Sequence, residues 1–131
     1  MGYLIDTNII IYRLKNQGRV NENFIKNSKE RMAISVISYG ELVYGAKKSK
    51  SVEKNLETVR AVKNIFPIID ITTDVMDIFG RIKADAQKIG RLTDDMDLLI
   101  AATALASGMT LVTHNTKHFE HISNLKTEDW F

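Results

Sequence analysis

Asp6, Glu41, Asp97 and Asn115 are the residues of this 131-residue chain whose types and spacing could do chemistry. Three carboxylates gathered at one place raise one another's pKa unless a cation offsets them. The chain has 0 Cys, so a metal would have to rest on oxygen or imidazole. An all-oxygen set points to Mg²⁺, or Mn²⁺ in its place. Such an ion positions water, lowers its pKa and neutralises charge growing on a phosphoryl oxygen. Phosphodiester hydrolysis is the natural chemistry of that set.

The elements flanking these residues give a reason for them to meet. Short apolar runs at Tyr3 to Ile5, Met32 to Val36, Pro67 to Ile71 and Thr110 to Thr113 read as strands, separated by longer helical patterns. In 74–90, Val75, Ile78, Phe79, Ile82, Ala86 and Ile89 recur at helical spacing before Gly90. Segment 97–107 is apolar nearly all round and closes on Gly108, as a helix at the centre of the core does. Strands joined by crossovers of this length favour a parallel sheet between helix layers. The expected fold is therefore α/β, a three-layer α/β/α sandwich with a central parallel sheet of four to five strands, the fifth being a weak edge strand near Leu125 to Glu128. Asp6 follows the first strand, Glu41 lies in the first turn of the helix after the second, and Asn115 follows the fourth. Asp97 opens a helix that runs antiparallel to the strands. All four residues then share the carboxyl edge of the sheet, where open α/β folds bind ligands.

Each acid also has a local reading. Ser38 to Glu41 matches a capping box in which Glu41 reaches back to the Ser38 amide. Asp94 could cap its helix with Asp97 at the third position, and Asp6 could cap the turn into Thr7. Capping of single helices does not account for the convergence of Asp6, Glu41 and Asp97, and both roles can hold at once.

The net charge of +2 hides a segregation. Segments 13–31 and 47–63 hold twelve of the 18 Lys and Arg but only Glu22, Glu30, Glu53 and Glu57 among the 16 acids. Basic stretches of this kind suit a polyanion, and each alone also suits a solvated helix face. Pro67 is the only proline, and no repeat, low-complexity tract or linker divides the chain, so residues 1–131 are expected to form a single domain. The sequence has no apolar run long enough for a membrane span and no secretory pattern at its start. A cytoplasmic protein is expected.

The runs Leu4-Ile5-Asp6-Thr7-Asn8, Ile37 to Leu42, Asp97 to Ala104 and Leu111 to Phe119, with Leu125 and Asp129-Trp130, resemble the PIN-domain ribonucleases, specifically the VapC toxins of toxin–antitoxin pairs. The resemblance spans nearly the whole chain. It implies a PIN-like fold and a metal-dependent endoribonuclease that cuts tRNA or rRNA to stop translation and growth. It makes Asp6 and Asp97 the principal Mg²⁺ ligands. Glu41 completes the acidic centre and orients the attacking water, Asn115 holds the fourth position, and Thr113 stands beside it as a hydroxyl donor. An acid is usual at that fourth position in the wider family; an amide brings no charge, so a second ion is expected to bind weakly or with substrate. The resemblance further implies a homodimer and a small VapB-like antitoxin that blocks the site.

Two other readings of the same residues differ in class. A metal-stabilised module could grip RNA without cutting it, with Asn115 in place of an acid. A phosphotransferase could use Asp6 as an aspartyl-phosphate nucleophile, but Asn8 stands where such enzymes carry a second Asp. Asp94 and Asp95 could supplement the centre or serve only as acids of a helix's first turn. His114 and His118 could share a helix face as a metal pair or proton donor, or be exposed loop histidines. Tyr39 and Tyr44 could stack bases or pack in a core or dimer. Trp130 and Phe131 read as a hydrophobic anchor for the tail.

Overall fold

Leu4 and Ile5 are neighbours in sequence yet belong to different cores, and that alternation organises the molecule. The structure, a computed structural model, describes residues 2–131. In β1 (Gly2–Ile5), Leu4 joins the cluster of Val75, Ile82, Leu98 and Phe119, while Ile5 joins that of Ile9, Phe24, Val59 and Trp130. Ala33 and Ile34 of β2 (Arg31–Ser35) divide in the same way, as do Leu111 and Val112 of β4 (Thr110–Val112). Strands buried on both faces need helices on both sides.

Those helices fall into two layers. The core around Ile5 is closed by α1 (Thr7–Leu14), α2 (Val20–Lys26), α3 (Val36–Lys47) and α4 (Val52–Ile65). The core around Leu4 is closed by α5 (Thr73–Lys88), α6 (Asp95–Ser107) and α7 (Thr116–Phe119). Between them lies a five-stranded sheet in the order β3 (Ile68–Ile69), β2, β1, β4, β5 (Thr127–Glu128), every pairing parallel. The expected sandwich is present, and its weak fifth strand exists, two residues long. Helix α6 buries Leu98 and the run Ile100 to Ala104. Truncating a large side chain there to Ala costs about 2–5 kcal/mol.

Several boundaries differ from those expected. Val36 leaves the second strand because the Ser35 hydroxyl accepts the N–H groups of Ile37 and Ser38 at 3.0 and 3.2 Å, starting α3 early. Ser38 is thus inside the helix, its buried hydroxyl without a partner among the described residues. The third strand shrinks to Ile68–Ile69, since Thr72 already caps α5 through Val75 N–H at 3.3 Å. Helix α6 begins at Asp95 with Asp94 at the cap position, so Asp97 is its third residue, as the capping reading placed it, and does not open the helix; the Asp94 side chain makes no capping bond. Gly108 and Gly90 take φ of 64° and 72° just beyond α6 and α5, the left-handed geometry that favours glycine at a helix end. Among the described residues, no helix is long and apolar enough to cross a membrane.

Candidate active site

Strand β1 delivers Asp6 to the carboxyl edge, where its backbone turns from extended (ψ 154°) into α1. The Asp6 N–H bonds the Val112 carbonyl at 2.9 Å, fixing it beside the end of β4. Its carboxylate does two things. Oδ1 caps α1 by accepting the Thr7 N–H at 2.8 Å, and Oδ2 accepts the Thr113 hydroxyl, also at 2.8 Å. Asp6 is only 6% exposed, and burial pushes its carboxyl above the usual 3.8. The bonds from Thr113 and Thr7 pull the other way, and the charge of Glu41 adds to the rise.

Glu41 reaches the same place by a route the capping box does not describe. It is the sixth residue of α3, in the second turn, and Ser35 supplies the cap. Its Oε1 accepts the Thr7 hydroxyl at 2.6 Å. Thr7 therefore bridges two acids, its N–H on Asp6 and its hydroxyl on Glu41. Sequence reasoning placed Thr7 in a motif and gave it no role. The signal was its position, directly after an acid at a strand end, where backbone and side-chain donors both face the carboxyl edge.

Asp97 completes the group from the other helix layer. Burial raises its carboxyl from 3.8 to about 6, the charges of Asp6 and Asp94 add to this, His118 opposes it, and Glu41 contributes a further rise. Three acids from β1, α3 and α6 thus share one electrostatic environment. Asn115 lies on the same edge as the residue before α7, exposed, with its N–H on the Thr113 hydroxyl at 3.1 Å. Its side chain makes no capping bond to α7. Thr113, fully buried, is the hub between Asp6 and Asn115.

The other candidates separate. Asp95 is turned to Lys83 of α5 at 3.0 Å, whereas Asp94 acts on Asp97 through its charge. His118, in α7, lies 3.9 Å from Asp97, while His114 is an exposed loop residue, as one reading expected, and pairs with Asp129 at 2.9 Å; the two histidines face different partners. Tyr39 packs against the first core, but Tyr44 is 65% exposed with the Lys48 ammonium 5.0 Å from its ring centre. Trp130 is buried against Tyr3 and Phe24, so the tail is anchored as expected. A nucleophilic Asp6 still lacks the second acid two residues on, where Asn8 stands.

Among the described residues, no three His, Asp or Glu side chains close a metal cage. The donor set nonetheless suits a hard divalent cation. It is all oxygen, and both Asp6 and Asp97 carry raised pKa values, each chiefly through burial, with the charge of Glu41 adding at Asp6 and those of Asp6 and Asp94 adding at Asp97. Mg²⁺ keeps several waters and is held by one or two carboxylates, so an open arrangement fits it. Beside this centre runs a groove of about 450 Å³ lined by Ile11, Leu14, Leu42, Ala46 and Val59, with Glu41 and Lys15 also on its wall.

Comparison with known proteins places the chain in a family. The PIN domain family matches residues 3–125. The tRNA(fMet)-specific endonuclease VapC of Shigella flexneri is 36% identical over 131 residues, covering 99% of this chain and 98% of that protein. Ribonuclease VapC2 of Haemophilus influenzae is 35% identical over 130 residues, with 99% and 98% covered. Among solved structures, VapBC2 from Rickettsia felis bound to a promoter DNA fragment superposes with a TM-score of 0.93 at 34% identity over 100% of both chains. The DNA-bound VapBC of Salmonella typhimurium gives 0.92 at 33% identity, covering 100% of this chain and 99% of that one.

Proposed function

We propose how the site works from the premise that this chain belongs to the PIN domain family and, within it, to the VapC ribonucleases. The protein is an endoribonuclease that serves as the toxin of a toxin–antitoxin pair, with a cognate VapB antitoxin as its partner. The observation that carries the catalytic reading is the coupling of Asp6, Glu41 and Asp97, with Thr7 joining the first two.

Asp6 and Asp97 are the residues that would hold Mg²⁺, or Mn²⁺ in its place. A bound ion supplies positive charge to offset the growing charge on the scissile phosphate and to favour ionisation of the attacking water. Thr113 and the Thr7 N–H fix the Asp6 carboxylate in one orientation. The Thr7 hydroxyl occupies one oxygen of Glu41 and leaves the other to orient water and accept its proton. The uncommitted Asn115 amide is available to hydrogen-bond the phosphate. In the hydrolysis, the water oxygen bonds to phosphorus as the bond to the leaving nucleoside oxygen breaks. Lys and Arg of segments 13–31 and 47–63 hold the RNA backbone against this acidic centre.

Residues 1–131 act as one nuclease domain in the cytoplasm, where the RNA is. The antitoxin seats an apolar segment in the groove along Ile11, Leu42 and Val59 and, since Glu41 shares that wall, closes the centre. A homodimer, implied by the family resemblance, is part of the same proposal and is checked by light scattering of the purified toxin. The defining experiment is cleavage of tRNA(fMet) and of ribosomal RNA by purified protein with Mg²⁺, with EDTA, and by Asp6→Asn. Cleavage that needs Mg²⁺ and Asp6 is expected. Tight RNA binding with no cleavage in Mg²⁺ or Mn²⁺ would instead favour the non-cutting module.

A further inference from the structure

We infer that His114, held by Asp129 and packed against the mutually contacting rings of Phe131 and Tyr12, is a positioning residue that holds the turn carrying Thr113 and Asn115 in register with Asp6. The inference rests on the ribonuclease reading and concerns a residue behind the site. Val112 ends β4 and Thr116 starts α7, so residues 113–115 belong to neither element. From this turn Thr113 reaches the Asp6 carboxylate, and Asn115 hangs on Thr113 through its N–H. His114 instead makes its contacts with α1 and the segment after β5. Its Nδ1 is 2.9 Å from Asp129 Oδ2, its ring centre 4.4 Å from that of Phe131 and 5.8 Å from that of Tyr12.

The clamp is itself held at its far side. The Phe131 N–H bonds Asp129 Oδ1 at 2.9 Å, and the Phe131 ring meets Tyr12 at 4.7 Å. The Phe131 carbonyl accepts the Arg19 N–H at 2.6 Å. Gly18 makes this approach possible: its φ is +60°, and a Cβ there would lie 2.7 Å from the Phe131 carbonyl oxygen. The contacts form a chain from the Gly18–Arg19 loop through Phe131 and Asp129 to His114. Tyr12 belongs to α1, the helix that Asp6 caps. Beyond the backbone bonds from the Asp6 N–H to Val112 and from the Thr113 N–H to Glu128, side chains tie the turn to Asp6 directly through Thr113 and to the helix it caps through His114.

A purely structural reading accounts for this less well. The side chains of His114 and Asp129 are 39% and 40% exposed, and a polar contact in that environment adds little to global stability. What it restricts is the direction of the turn. A displacement of about 1 Å at groups that orient a reacting phosphate is enough to lower turnover by up to about 100-fold. RNA held by distant basic side chains would scarcely register it.

The test is steady-state cleavage of an RNA substrate in Mg²⁺, with thermal melts run in parallel. His114→Ala is expected to lower kcat by about 10-fold with KM within about twofold, and to melt close to the wild type. His114→Asn, whose amide nitrogen takes the place of the ring Nδ1, should recover most of the loss. The double variant His114→Ala/Asp129→Ala should be no slower than the worse single variant. Unchanged kcat in His114→Ala, a loss appearing only in KM, or additive losses in the double variant would each overturn the inference. Should His114→Ala melt below the assay temperature, Asp129→Leu, which keeps approximate size but offers Nδ1 no acceptor, decides on the same readout, with an unchanged kcat again overturning the inference. Wild-type protein that cuts no RNA removes the ribonuclease reading and this inference together, whereas active wild type with an equally active His114→Ala removes only the inference.

Discussion

Replacing Asp97 by Asn should make the metal-free protein more stable, although it removes a residue central to the site. Burial and the charges of Asp6 and Asp94 lift the Asp97 carboxyl from 3.8 to about 6. At 1.36 kcal/mol per pH unit, an interval of this size corresponds to about 3 kcal/mol of strain in the ionised form. The side chain keeps 30% of its surface, so solvent screening brings this to about 2 kcal/mol. Against it, a negative charge at the third position of α6 gains about 0.3–1 kcal/mol from the helix N-terminus, which Asn forfeits. A net gain of about 1 kcal/mol remains, or about 3–5 °C in Tm for a chain of this length.

The sign follows from linkage. The folded group binds its proton more tightly than the unfolded one, so stability falls as pH rises from 3.8 to about 6 and the full penalty applies above that window. The advantage of Asp97→Asn should be complete at pH 7.5 and the charge penalty about half as large at pH 5. The assay is thermal melting of both proteins in EDTA at these two pH values, followed by Mg²⁺ titration at pH 7.5. A ligand at about ten times its Kd stabilises by about 1.4 kcal/mol, so Mg²⁺ should raise the wild type to or past the variant. A variant no more stable than wild type in EDTA at pH 7.5, or a gap independent of pH, would refute the reasoning.

Three further outcomes are expected. Thr7→Val removes the hydroxyl held 2.6 Å from Glu41 and should lower kcat by about 10- to 100-fold while Thr7→Ser stays near wild type, as measured by RNA cleavage. Thr113→Val leaves the buried Asp6 Oδ2 without its donor; denaturant melts should show a loss of about 1–3 kcal/mol. Asn115→Asp adds an acid to the edge and should reduce the Mg²⁺ concentration for half-maximal cleavage by several-fold, with lower apo stability as its cost.

The fold was legible because its elements rest on periodicities that sequence records. The continuous apolar runs at Leu4-Ile5, Ala33-Ile34 and Leu111-Val112 mark strands buried on both faces, and the apolar run of α6 marks a helix in the core. The meeting of Asp6, Glu41 and Asp97 was legible too, since parallel topology sends strand ends and helix starts to one edge. The boundaries were less so. Ser35 and Ser38 are both plausible caps three residues apart, and only backbone geometry decided that Ser35 accepts the N–H groups and that Glu41 sits a turn deeper.

The sequence by itself determined the parallel α/β sandwich, the convergence of its acids and the membership of its motifs in one family, because periodicity, crossover length and residue type are local properties. Tertiary structure alone decided which group each side chain meets. Thr7 joining Asp6 to Glu41, Thr113 holding Asp6 across 107 residues, and His114 turning to Asp129 depend on separate segments packing within hydrogen-bond distance. The rise of the Asp97 carboxyl to about 6 has the same origin. Desolvation and the charges of Asp6 and Glu41 exist only once β1, α3 and α6 have closed around one edge, and no spacing along the chain encodes their magnitude.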